Sequence, residues 1–403
     1  MNSPARPARD RCPGVFTPHA AADGALARIR LLGGAIGPDQ LQVLADVAAN
    51  HGDGFVELTS RANLQLRAIT DVDAVADAII AAGLVPTGTH EKVRNIEVSP
   101  LTGRVGGLVD MRPSAAELDR QLRADDSLAT LSGRFLFGFD DGRGDIVRAR
   151  PDVCACARAN AGSVIIELVV DGEMIGWVPG AGDTAVSALT GIMLGVARDL
   201  LDLDPAAWRV ADLDLAGRAA LLDRARDRLG SIIVGQDRGS AVDALSDKTP
   251  DPDADAPLVG WFDQDDGRVL LGAVVEHGRL PARLAEFLAA IGAPIVFTPH
   301  REILICDLAE GVAETVVRVL APMGLIFDAE SPWARISCCA GAPGCANSLA
   351  HVRDDVSARI ASGAAPTDRE HWVGCARGCG SPAGPHLRVE ASGSGYRTDR
   401  LGI

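Results

Sequence analysis

Asp23-Gly24-Ala25-Leu26-Ala27-Arg28-Ile29-Arg30-Leu31 and Asp266-Gly267-Arg268-Val269-Leu270-Leu271-Gly272-Ala273-Val274-Val275 decide the fold. Each opens on an Asp-Gly turn signal and runs into apolar residues. After the first come a strand over 25–31, a turn at Gly33-Gly34 and a helix over 38–50, with Pro38 at its first position and Leu41, Leu44 and Val47 as its apolar stripe. Strands over 55–59 and 63–69 and a helix over 73–82, stopped by Gly83, complete a βαββα unit. The second stretch starts the same order: a strand over 269–275, a helix over 281–291 before Gly292, strands over 294–298 and 302–306, and a helix over 312–322 before Gly324. The turn Thr59-Ser60-Arg61 matches Thr298-Pro299-His300, so the order is an internal repeat. One such unit has a single sheet face to bury, and the two are expected to pack on each other.

Between the repeats, strands are expected over 108–111, 133–139 and 163–170, and helices over 114–123, 184–201 and 216–229. The Pro- and Asp-rich run 249–257 is a linker. The domains are then a flexible terminus 1–12, repeat one 13–83, a central α/β domain 84–248, the linker, repeat two 258–325 and a cysteine-bearing segment 326–403. The class is α+β.

The chain of 403 residues is 47% hydrophobic and 23% charged, enough to bury a large core. A formal charge of −15 argues against nucleic acid or an acidic membrane as partner, because both require a broad basic face. Only Lys92 and Lys248 are lysines, so a polyanionic ligand must find arginines. No signal peptide or membrane-length apolar run is present, and a cytoplasmic, reducing location is expected. There the nine cysteines are ligands or core residues rather than disulfides.

Cys339-Ala340-Gly341-Ala342-Pro343-Gly344-Cys345 and Cys375-Ala376-Arg377-Gly378-Cys379 carry the strongest chemical signal. Two close thiol pairs suit an iron–sulfur cluster or a zinc ion. Zinc knuckles favour two to four residues between paired ligands, which the five-residue gap after Cys339 exceeds. Gly374, Gly378 and Gly380 let the backbone wrap closely around the second pair. Cys154 and Cys156, on an expected strand with one residue between them, are read as unable to share a ligand sphere, and hence as buried or incidental.

Leu58-Thr59-Ser60-Arg61-Ala62-Asn63-Leu64-Gln65-Leu66-Arg67 resembles the motif with which sulfite and nitrite reductases grip sirohaem and its anion, and Val93-Arg94-Asn95-Ile96 resembles their next arginine motif. With the repeated half-domains and the cysteine spacing, the resemblance covers nearly the whole chain. It implies a sulfite/nitrite reductase-like fold: two ferredoxin-like half-domain repeats plus central and C-terminal α/β domains that bind tetrapyrrole and cluster. It further implies that Cys339, Cys345, Cys375 and Cys379 ligate one [4Fe-4S] cluster, with Cys338 a bystander.

In the reductases a strand resembling 131–137 carries two lysines, where this chain has Arg134 and Leu136. Arg11-Cys12-Pro13-Gly14 and the Cys-Ala-Gly-Ala-Pro-Gly-Cys motif resemble most the precorrin-3B synthase branch, the oxygenases of aerobic cobalamin biosynthesis. That branch implies precorrin-3A and dioxygen as substrates, electrons from NAD(P)H through a donor, and a mononuclear non-haem iron beside the cluster. His19, His90 and His300 are its candidate ligands here. A carboxylate-fringed tetrapyrrole suits Arg61, Arg67, Arg94 and Arg134 with Asn63, Gln65 and Asn95, because guanidinium binds carboxylate bidentately. A monomer is expected. A sirohaem-dependent reductase and a nonenzymatic zinc-stapled binding protein are the competing readings.

Overall fold

The computed structural model describes residues 12–180, 183–230, 256–363 and 366–402. Residues 1–11 of the expected flexible terminus and 249–255 of the expected linker lie outside the described residues. The chain forms two compact units, Pro13–Gly88 with Ala256–Ile403, and Met1–Cys12 with Thr89–Asp255.

The first of these holds both repeats. One five-stranded antiparallel sheet runs, edge to edge, His19–Ala21, Gly24–Ile29, Leu64–Ile69, Phe55–Leu58, Arg279–Pro281; the other runs Gly260–Asp263, Val269–Ala273, Ile303–Leu308, Ile295–Phe297, Ala35–Ile36. The last strand of each sheet comes from the other repeat. Arg279–Pro281 pairs antiparallel with Phe55–Leu58, and Ala35–Ile36 with Ile295–Phe297, a reciprocal exchange. The chain enters each exchanged strand through a left-handed pair, Gly33-Gly34 (φ 55° and 74°) and His277-Gly278 (φ 59° and 64°). Gly34 is required twice over, since a Cβ there would stand 2.0 Å from the Phe297 carbonyl oxygen.

Helix Pro38–His51 buries Leu41, Leu44, Ala45, Val47 and Ala48, and helix Ala282–Ala290 buries Leu284, Ala285 and Leu288. Both belong to one hydrophobic core with the inner faces of the two sheets, so the repeats do pack on each other. The turn between the last two strands is built identically in each. Thr59 N–H donates to the Asn63 carbonyl and Thr298 N–H to the Glu302 carbonyl. Each threonine Oγ1 accepts from the N–H groups two and four residues on.

The cysteine-bearing segment forms a four-stranded sheet, Ile336–Cys338, Glu370–Val373, His386–Ser392, Gly395–Leu401, with two parallel pairings and then an antiparallel one. Helix Val352–Ala361 follows the first strand and packs on it.

The other unit repeats that plan: Ile96–Val98, Phe137–Asp140 and Val153–Asn160 are parallel, and Ser163–Val170 and Glu173–Pro179 add antiparallel. Its helices are Arg112–Arg123, Asp183–Leu203 and Leu215–Gly230. Residues 108–111 do not form the expected strand. Gly106 and Gly107 hold left-handed φ, and the Thr102 side chain takes the Val109 carbonyl and the Met111 N–H, leaving a loop with Leu108 exposed. The strand expected over 133–139 begins only at Phe137, because Ser132, Gly133 and Arg134 form a turn closed by Phe135 N–H on the Ser132 carbonyl. The loop after that strand surrounds a carboxylate. Asp140 accepts from the backbone N–H of Gly142, Gly144, Ile146 and Val147. It takes the place in the plan that the loop 374–380 takes in the cysteine segment.

The reading of Cys154 and Cys156 is corrected in one respect. Both are fully buried, as expected, but residues two apart on a strand share a face, and their sulfurs stand 3.4 Å apart.

Candidate metal centre

The strand Ile336–Cys338 ends where Cys339 begins, and Glu370–Val373 ends one residue before Gly374 and Cys375. These two parallel neighbours therefore deliver the two thiol pairs from adjacent strand ends. Cys339 N–H is fixed on the Trp372 carbonyl at 2.9 Å, Cys345 N–H on the Gly341 carbonyl at 2.8 Å, and Leu349 N–H on the Gly374 carbonyl at 2.8 Å. Gly374 N–H in turn donates to Cys339 Sγ at 3.3 Å. A Cβ on Gly374 would lie 1.9 Å from Ser348 Oγ, so only glycine allows the loops this close.

The four thiols feel one another. Cys339 is raised by burial and then by Cys345 and Cys375, against hydrogen bonds from the Gly374 and Gly341 backbone. Cys379 is raised by burial and then by Cys339, Cys375 and Cys345, with Arg377 opposing. Bound iron would resolve that mutual repulsion by taking the thiolate form. A zinc ion with Zn–S near 2.3 Å would hold its sulfurs about 3.8 Å apart. Among the described residues, the only three or more ligating atoms within 4.8 Å of one another are those of Asp140, Asp141 and Asp145. Four soft donors set wider than a single ion requires fit a [4Fe-4S] cluster better than zinc. Cys338 faces elsewhere, buried against Ile336, Val352 and Val356 with its Sγ 3.6 Å from His277 Nδ1. Burial pushes its thiol up to about 12.

The half-domains brace this centre. Arg67 binds Asp23 through Nε and Nη2, both at 3.0 Å, and its Nη2 donates to the Gly344 carbonyl, beside Cys345, at 2.7 Å. Arg301 donates from Nη2 to the Gly380 carbonyl, beside Cys379, at 2.6 Å. His371, wholly buried, has Nε2 3.0 Å from the Cys379 carbonyl and Nδ1 2.8 Å from Ser337 Oγ. Glu57 accepts from Gln65 Nε2 at 2.7 Å, from Arg279 Nε at 3.2 Å and from Arg353 Nη2.

Of the other expected ligand-binding residues in this unit, Asn63 Oδ1 accepts from Leu31 N–H at 2.9 Å, and Gln65 Oε1 accepts from Arg28. Arg61 is half-buried, its N–H on Thr59 Oγ1. In the other unit, Arg94 is buried in an ion pair with Asp119 at 2.6 Å, and Asn95 donates to the Phe135 carbonyl. Arg134 is exposed, its guanidinium 4.5 Å from the Trp208 ring centroid, while Leu136 is buried. Asn63, Gln65, Arg67, Arg94 and Asn95 thus hold the fold, and Arg61 and Arg134 stay nearer solvent. Among the candidate histidines, His90 has both ring nitrogens in hydrogen bonds, to Thr89 Oγ1 and the Asp125 carbonyl, and His19 is exposed. His300 is half-buried and kept neutral by desolvation, with Arg369 and Arg301 adding to the effect. Sequence reasoning did not find Glu57, Arg301, His371 or Arg353. The repeat offered one signal, since Arg301 stands where the matched turn of the first repeat has Ala62.

Residues 19–82 match the family described as "Nitrite/Sulfite reductase ferredoxin-like half domain". A precorrin-3B synthase from a Sinorhizobium species is 26% identical over 416 residues, covering 96% of this chain and 82% of the relative. The structure of the NirA protein of Mycobacterium tuberculosis superposes with a TM-score of 0.69 at 18% identity, over 93% of this chain and 73% of that one. Similarity to members of the nitrite and sulfite reductase superfamily thus runs along most of the chain. Within that superfamily a ferredoxin–nitrite reductase of Synechococcus elongatus is 24% identical, over 92% of this chain and 76% of the relative. An assimilatory ferredoxin-dependent nitrite reductase of Haloferax mediterranei is 24% identical over 72% of this chain and 56% of the relative. The superfamily's fold is the one observed, and these relatives are enzymes. Among the described residues no helix is long and apolar enough to cross a membrane.

Proposed function

We propose that this protein is a precorrin-3B synthase, which oxygenates precorrin-3A at C-20 and forms the hydroxy-lactone precorrin-3B. One oxygen atom of dioxygen enters the product and the other leaves as water, with two electrons supplied by NAD(P)H through a donor. The observation that carries the reading is the similarity to the Sinorhizobium enzyme along 96% of the chain, together with arginine and leucine at positions 134 and 136. Reducing a small oxyanion consumes several protons and needs acids close to it. Guanidinium holds its proton too tightly for that, and Leu136 has none to give.

The [4Fe-4S] cluster, when bound, supplies one-electron transfer. Cys339, Cys345, Cys375 and Cys379 would hold it, and Arg67, Arg301 and His371 hold the carbonyls of the two loops. Arg61 in its unit and Arg134 in the other are each proposed, independently, as a cation for a tetrapyrrole carboxylate. The buried Arg67 and Arg94 contribute by shaping the loops and strands around them.

The test is turnover of precorrin-3A by purified protein under air with NAD(P)H and a donor. Conversion to a product carrying one atom from labelled dioxygen is expected. Six-electron reduction of sulfite or nitrite after loading with sirohaem would overturn the assignment in favour of a reductase, the reading that the two nitrite reductase relatives keep open. A colourless zinc-containing protein would overturn both.

A further inference from the structure

Arg301 stands at the left-handed position of its turn (φ 65°), where Ala62 stands in the first repeat (φ 51°). Its side chain is buried at 7% exposure, and its one hydrogen bond goes to the Gly380 carbonyl. Two glycines make room for it. A Cβ on Gly278 would come within 2.8 Å of Arg301 Cδ, and one on Gly380 within 2.8 Å of Nη2. Arg67, its partner in bracing the centre, is neutralised by Asp23, whereas Arg301 makes no ion pair among the described residues; the carboxylate whose field reaches it, Glu57, is itself engaged by Arg279 and Arg353. A buried cation with no ion-pair partner of its own is costly, and a negatively charged cluster beside Gly380 would offset that cost. The loop it grips ends in Cys379, one of four thiolates that together give a [4Fe-4S] centre a net negative charge, greater after reduction.

We infer that Arg301 is a positioning residue of the cluster. It anchors the Cys375–Cys379 loop through Gly380, and its unpaired charge favours the reduced, more negative form, so that it raises the reduction potential. His371, neutral and bonded to the neighbouring Cys379 carbonyl, completes the grip on the loop without adding charge. The inference rests on the four-thiol reading of the centre.

The experiment uses full-length protein purified without oxygen, with iron and sulfide assayed per chain and the midpoint potential read by an EPR-monitored redox titration. Iron and sulfide absent from the wild type would overturn the cluster itself, a result obtained before any variant is made. With the cluster present, Arg301→Gln, which keeps an N–H for Gly380 but no charge, should hold wild-type iron at a lower potential. A tenfold change in the equilibrium between oxidised and reduced cluster, 59 mV for one electron, is the expected scale. Arg301→Lys should restore most of the difference. An unmoved potential in Arg301→Gln, or a Lys variant that restores nothing, overturns the inference. If Arg301→Gln cannot retain iron, retention by Arg301→Lys supports the role of charge, and loss from both overturns it in favour of shape alone.

Discussion

Replacing Glu57 should loosen the unit that carries the centre at a single point where three segments meet. The residue is 5% exposed on the strand Phe55–Leu58. Arg279 reaches it from the exchanged strand of the second repeat, and Arg353 from the helix of the cysteine segment. Arg279 has a second acceptor in Asp53 at 2.5 Å and lies over the Phe55 ring, so it would stay anchored. Arg353 has no other carboxylate among the described residues and already carries a buried Nε without a hydrogen bond. Glu57→Ala therefore leaves a part-buried guanidinium uncompensated, which costs about 3–5 kcal/mol. Glu57→Gln, keeping shape and one acceptor, should cost about 1.5–3 kcal/mol. For a unit of roughly 220 residues the alanine change lowers its melting transition by about 6–20 °C. Calorimetry would resolve that transition, with visible absorbance reporting whether the cluster is lost in the same step. An alanine variant within about 0.5 kcal/mol of wild type, the range of ordinary surface substitutions, would refute the reasoning.

Cys338→Ser should leave iron and sulfide content unchanged while Cys339→Ser empties the centre; the reverse outcome would show the ligand register to be shifted by one. The Asp145 carboxyl is pushed up to about 7, by desolvation first and then by the Asp140 carboxylate. The native state thus binds a proton that the unfolded chain releases near pH 3.8. The associated stability is full below that pH and lost as pH rises through about 7. Asp145→Asn should flatten this fall and gain roughly 2–4 kcal/mol on wild type above pH 7, read from denaturant midpoints across pH. Arg134→Ala should weaken precorrin-3A binding by about 1.5–3 kcal/mol, measured by fluorescence quenching. Unchanged affinity would remove Arg134 from the site.

The repeat was legible because its punctuation is local. Asp-Gly before the first strand, proline or glycine at helix ends and threonine at the hairpin turn each act within a few residues, and all recur. The exchanged strands were not legible, since Ala35–Ile36 and Arg279–Pro281 are too short to show any period. The thiol ligands stood out by spacing. The groups that hold their loops did not, because a bond such as Arg301 to the Gly380 carbonyl spans 79 positions and leaves no pattern. Arg67 and Arg94 looked like hands for an external carboxylate, but the fold supplies the carboxylates itself in Asp23 and Asp119. The misjudged pair Cys154 and Cys156 came from counting one intervening residue as an obstacle, when on a pleated strand it brings the two side chains to one face.

The reciprocal strand exchange sets an order of events during synthesis. The strand Phe55–Leu58 emerges from the ribosome with its outer edge unfilled, and the strand that covers it ends about 220 residues later at Pro281. At about 5–20 residues per second that is roughly 10–45 s during which a half-built sheet shows an open edge. The two charges that flank the gap, Asp53 and Glu57, wait over the same interval for Arg279. Until it arrives they place uncompensated negative charge along that edge, which discourages another nascent chain from adding a strand of its own.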